Sequence, residues 1–84
     1  MPVLLDSSVE INYTLPDSHR LLLEIFDITG NRVIKLKDSS STAGQHTARW
    51  NGLDHDNAIV PNGVYFFHLA CDDLSDMKKF LVVR

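Results

Sequence analysis

The chain is poor in the residues from which reactive sites are usually built. Of its 84 residues only Cys71 is a cysteine, which excludes an internal disulfide and a cysteine-based zinc site. Its four histidines, His19, His46, His55 and His68, are widely separated and show no paired ligand spacing. The nucleophile-elbow pattern GxSxG is absent, so Ser39, Ser40 and Ser41 read as loop. Basic residues are few: eight Lys and Arg against eleven Asp and Glu give a formal net charge of -3. Apart from Lys78-Lys79 they are scattered, which argues against a nucleic-acid surface, because counterion release needs clustered cations. No apolar run approaches the roughly 20 residues of a membrane span. The opening Met1-Pro2-Val3-Leu4-Leu5-Asp6 lacks the basic start of a signal peptide and reaches an acid too early. The single domain expected over residues 1–84 is then either cytosolic or, the reading favoured here, a piece of a longer secreted protein.

What the chain does have is apolar material in a period of two. Hydrophobic residues make up 44%, enough for one packed interior in a domain this small. Val9, Ile11, Tyr13 and Leu15 alternate with Glu10, Asn12 and Thr14, then stop at Pro16-Asp17-Ser18, which predicts a half-buried strand and a turn. Leu21, Leu23 and Ile25 repeat the pattern. Leu22 and Phe26 fall on the opposite face, which is either partly covered or exposes an apolar strip. Thr29-Gly30-Asn31 supplies turn residues, and Val33 to Leu36 returns as a hairpin strand. Residues 38–44, DSSSTAG, read as a polar loop. His46, Ala48 and Trp50 share a face of the next strand, as do Tyr65, Phe67, Leu69 and Cys71 of the one after. Met77 to Val83 makes the last. Six or seven short strands with frequent turns read as an all-β sandwich. Its expected core is Val9, Ile11, Tyr13, Leu23, Ile25, Val33, Trp50, Tyr65, Phe67 and Leu69.

Between Trp50 and Tyr65, Asp54, His55 and Asp56 are the best candidates for chemistry, since carboxylates beside an imidazole suit metal binding or proton transfer. They sit between turn signals, however, where Asp and Asn bond their own backbone, and turn capping is the favoured reading. The aspartate spacing lacks the later Glu and central Gly of a calcium-binding helix-loop-helix. Cys71 reads as a small core hydrophobe; Asp72 and Asp73 would disfavour its thiolate. Phe26 and Phe66 read more readily as covering a second apolar layer than as an exposed contact strip. On the last strand Phe80, Val82 and the intervening apolar positions are expected to pack. Lys78 and Lys79 there guard an edge against self-association or form a terminal recognition element. We expect no catalytic residues, no metal and no cofactor.

Several motifs occur in a recognisable order: Ile11-x-Tyr13-x-Leu15-Pro16, Leu23-x-Ile25-Phe26-Asp27-x-x-Gly30-x-x-Val33, Ala43-Gly44-x-His46, Trp50-x-Gly52, Gly63-x-Tyr65 and a Lys-rich closing strand. Over about residues 8–84 the chain resembles the C-terminal sorting domains of the type IX secretion system and the similar immunoglobulin-like domain of the flagellar hook-capping protein. The resemblance implies a compact all-β immunoglobulin-like β-sandwich of about seven antiparallel strands at the end of a secreted protein, carrying an N-terminal cargo domain. It implies passage through the periplasm to the medium or cell surface, with the translocon and a sortase-like peptidase as partners. Carried over by position, Gly63, Tyr65, Lys78, Lys79 and Arg84 are the candidate recognition residues. The alternative is a structural or interaction module, a hook-cap-like assembly domain or an accessory to a secreted hydrolase. An uncovered strand edge leaves room for a weak homodimer. Two departures stand out. The Asn-Pro-rich start is missing, and Asp56-Asn57 replaces the usual Asn-Gly, a mild change because Asn accepts the left-handed conformation.

Overall fold

In the computed structural model, the described residues are 2–4, 9–17, 19–71 and 74–83, with the backbone alone described for 2–4 and 19. Six strands of seven to ten residues form the body: β2 (Val9–Leu15), β3 (His19–Asp27), β4 (Arg32–Ser41), β5 (Gly44–Trp50), β6 (Gly63–Cys71) and β7 (Leu74–Val83). A three-residue strand, β1 (Pro2–Leu4), precedes them. They form a five-stranded sheet, ordered β1-β7-β6-β3-β4, and a two-stranded sheet, β2-β5. This is the β-sandwich expected from the alternation, in the immunoglobulin-like form that the resemblance implied.

One pairing departs from the antiparallel expectation. β1 runs parallel to β7, with Pro2 opposite Leu81 and Leu4 opposite Val83. Three residues are too few to show a period, so nothing local announces this strand. A second correction concerns residues 38–41, which are not loop. They extend β4 and pair with β3 from Leu22–Asp38 to His19–Ser41. Serine is a poor strand former, but β4 ends its sheet, where one ladder and solvent satisfy a polar strand.

The core lies between the sheets. Val9, Leu23, Ile25, Val33, Trp50, Tyr65, Phe67 and Leu69 are buried as expected, while Ile11 and Tyr13 are half-buried and pack against them. Leu15, Leu21, Val60, Cys71, Phe80 and Val82 complete the interior. Trp50, Tyr65 and Phe80 form an aromatic cluster, with centroids of 5.7 Å for Trp50–Tyr65 and 5.8 Å for the edge-on Trp50–Phe80 pair. The buried polar atoms there are satisfied: the Trp50 indole donates to the Leu53 carbonyl at 2.9 Å, and the Tyr65 hydroxyl to the Pro61 carbonyl at 2.6 Å. These two bonds tie the connector 51–62 down at both ends.

Candidate functional site

The turn that most suggested chemistry, at Asp54, is built for shape, and a second turn is built like it. Asp27 and Asp54 open two five-residue turns, DITGN and DHDNA. In the first, Asp27 Oδ1 accepts the N–H groups of Thr29 and Asn31, at 2.9 and 3.0 Å. In the second, Asp54 Oδ1 accepts those of Asp56 and Ala58, also at 2.9 and 3.0 Å. Both turns take a left-handed fourth residue, Gly30 at φ 89° and Asn57 at φ 66°. The Thr29 hydroxyl, donating to Asp27 at 2.6 Å, is the largest cause holding that carboxyl below its ordinary value of 3.8; backbone donors add to it, against desolvation.

His55 donates its backbone N–H to the Val33 carbonyl at 3.0 Å, and its ring Nδ1 lies 3.2 Å from the same oxygen. Asp56 reaches the exposed His55 ring only at 3.4 Å. A hollow of about 390 Å³ separates the turns, with Arg32, Ile59 and Asn62 on its walls. Its carboxylates are engaged in their own turns, and Arg32 is bonded to Glu24. Turn capping is what Asp54 does here, while Asp56 contributes its backbone N–H to that cap. Among the described residues, no group of three His, Cys, Asp or Glu is placed to hold a metal.

The more distinctive surface is the outer face of the five-stranded sheet. Register places Phe26, Phe66 and Lys79 on one rung across β3, β6 and β7, with Glu24, His68 and Met77 on the next. Val64 and Leu81 continue the strip beyond Phe66. Met77 is 55% exposed, Leu81 41% and Ile28 70%. Among the described residues no element covers this face and Phe26 and Phe66 are only half-buried, so the second apolar layer they were expected to cover is not seen there, and Leu81 does not pack inward as expected. A shallow hollow of about 380 Å³ is lined by Phe26, Ile28, Phe66, His68 and Met77. On the neighbouring rung, opposite His68, Glu24 is buried. Arg32 donates to it at 3.1 Å, and His68 Nδ1 lies 3.9 Å away while its ring meets Phe26 edge-on at 6.0 Å. An apolar strip with a buried ionic group at its centre is suited to binding a surface, not to turnover.

The candidate recognition residues divide between two faces. Gly63 starts β6; Tyr65 is buried in the core; Lys78 and Lys79 are exposed on opposite faces of β7; Arg84 lies outside the described residues. Ile28, Met77 and Leu81 were passed over by the sequence reading. For Met77 and Leu81 the only signal was the period of two on β7, which places them opposite Phe80 and Val82; Ile28, in the turn after β3, had none.

Fold and surface together define an immunoglobulin-like module without an evident reaction centre among its described residues. More particularly, the chain belongs to the FlgD Ig-like domain family, whose model matches residues 4–73. Among solved structures it is similar to FlgD from P. aeruginosa, with a TM-score of 0.74 at 22% identity over 89% of this chain and 60% of that one. PorZ, an essential bacterial surface component of the type-IX secretion system of Porphyromonas gingivalis, shares the fold at a TM-score of 0.59 and 22% identity, over 95% of this chain and 12% of PorZ. The alkylpurine DNA glycosylase AlkC of Pseudomonas fluorescens, bound to DNA containing an abasic site analog, shares it at 0.52 and 19% identity, over 99% of this chain and 28% of AlkC. The chain thus spans less than two thirds of each of these proteins. No curated protein matches it.

Proposed function

We propose that this chain is a non-catalytic structural and interaction module, an assembly domain of a larger protein, that engages its partner through the outer face of the five-stranded sheet. The observation that carries this reading is the uncovered strip of Phe26, Ile28, Phe66, Met77 and Leu81 around the buried Glu24. Membership of a structural domain family supports it. Apolar rings supply the contact area, and the Glu24–Arg32 pair with His68 penalises a partner unable to satisfy them. Phe66→Asp and Met77→Asp in the full-length parent protein test this. Assembly measured by light scattering should fall while the isolated domain keeps its melting temperature. Unchanged assembly with a folded domain would reject the outer face.

The sorting role is a second reading, in which the domain directs a cargo through the periplasm to the surface and is read by the type IX machinery. The likeness to PorZ favours it at the level of fold. Residues 1–84 fused to a periplasmic reporter in a type IX-competent bacterium decide it. A reporter that stays periplasmic beside a correctly folded domain excludes sorting.

A further inference from the structure

A second surface, at the opposite edge of the sheet from β4, has no place in that reading. β1 pairs with β7 only at Leu81, Val82 and Val83. Among the described residues, nothing pairs with that same edge of β7 over Leu74–Phe80. The neighbouring edge is open too, because β2 pairs with β5 alone. The two unpaired edges face one groove of about 250 Å³, with Val9, Ile11, Phe67 and Phe80 as its apolar walls and Lys78 and Lys79 beside it. That volume is below the roughly 300–1,000 Å³ of small-molecule sites. Its shape follows a strand edge, which offers main-chain donors and acceptors in a row.

The lysines say what belongs there. Lys78 is opposite Phe67 on the inner face of β7, and Lys79 is opposite Phe66 on the outer face, so the edge carries a cation on both sides. Both are exposed, and neither pairs with an acid among the described residues. A second copy laid on this edge would bring lysine against lysine, which is destabilising, while carboxylates opposite them are favourable. Small β-branched side chains would meet the apolar walls.

We propose that the open edge of β7, from Met77 to Phe80, receives an extended acidic segment of a partner protein as an added strand in line with β1, its carboxylates opposite Lys78 and Lys79. Main-chain hydrogen bonds supply the attachment and the two lysines the selectivity. The proposal rests on reading the chain as an interaction module, and adds a second contact to it.

The probe is a nine-residue peptide of alternating Val and Thr with two adjacent Glu at its centre, titrated into the 84-residue domain by amide NMR. Shifts should concentrate at residues 9–12 and 77–80. The charge-reversing pair Lys78→Glu with Lys79→Glu should weaken binding at least tenfold, and a peptide with Lys in place of Glu should bind that variant instead. N-methylation of alternate peptide nitrogens on the pairing side should abolish binding. Absence of binding, shifts mapping elsewhere, binding indifferent to the lysine reversals or to N-methylation, or self-association through this edge would each overturn the proposal. If the peptide fails while Phe66→Asp still lowers assembly, only the edge proposal falls. If the peptide binds while Phe66→Asp has no effect, the outer-face reading falls instead.

Discussion

Asp27 and Asp54, 27 positions apart, close their turns with the same set of hydrogen bonds. In each, the Asp backbone N–H donates to the carbonyl four residues on, at 2.9 Å to Asn31 and 2.9 Å to Ala58. The residue three on donates back to the Asp carbonyl, Gly30 at 3.1 Å and Asn57 at 2.9 Å. The side chain then takes the N–H groups two and four residues on. One turn joins β3 to β4 and the other folds the connector back on itself, so the same local chemistry shapes both sides of one hollow.

The Asp27 carboxyl lies below its ordinary 3.8, so the unfolded chain binds its proton more tightly than the folded one. Its contribution is present above that value and is lost as pH falls through the lower folded-state value. Wild type should therefore melt above Asp27→Ala near neutral pH, and the gap should close on acidification below 3.8. Melting curves of the two proteins across that range check this; a gap independent of pH refutes it.

The fourth turn position discriminates by backbone alone. Asn57 sits at φ 66° and Gly30 at φ 89°. Asn57→Gly should be near neutral, whereas Asn57→Val should cost about 1–2 kcal/mol, because a β-branched side chain crowds the left-handed conformation. Urea denaturation midpoints compare them directly.

Trp50→Ala should be severe, on the order of 3–5 kcal/mol, since it empties the aromatic cluster and frees the Leu53 carbonyl from the indole. For a domain of this size that is a fall of about 12 °C or more in Tm. A shift of under about 2 °C would show that the indole is not the core anchor its burial implies.

Two ion pairs of similar length should behave differently. Arg32 reaches Glu24 at 3.1 Å and Arg49 reaches Glu10 at 3.0 Å, but the Glu24 side chain is only 10% exposed against 53% for Glu10. Arg32→Ala should cost about 1 kcal/mol or more by leaving a desolvated carboxylate, and Arg49→Ala close to nothing. Chemical denaturation of the two single variants gives the comparison.

How far the fold could be read in advance follows from the range of the forces involved. The alternation of Val9 to Leu15 and of Tyr65 to Cys71 assigned strands and inner faces correctly, because side-chain period is a property of each strand by itself. The turn at Asp56-Asn57 was equally legible, since its hydrogen bonds close within five residues. Residues 38–41 were misread because their strand state comes from the β3 ladder, not from serine. β1 was invisible because three residues carry no pattern, and its partner lies about 79 positions away.

By itself the sequence determined the class of fold, most of the core and the capping chemistry of the turns, all consequences of local period and short-range hydrogen bonding. Only the tertiary structure decided what meets a partner. It left Phe26 and Phe66 half-buried on an open face, put Glu24 on the next rung, and ended β1 short of Lys78 and Lys79. Each depends on which strands lie side by side and where their pairing stops, and that is settled by contacts between segments distant in the chain.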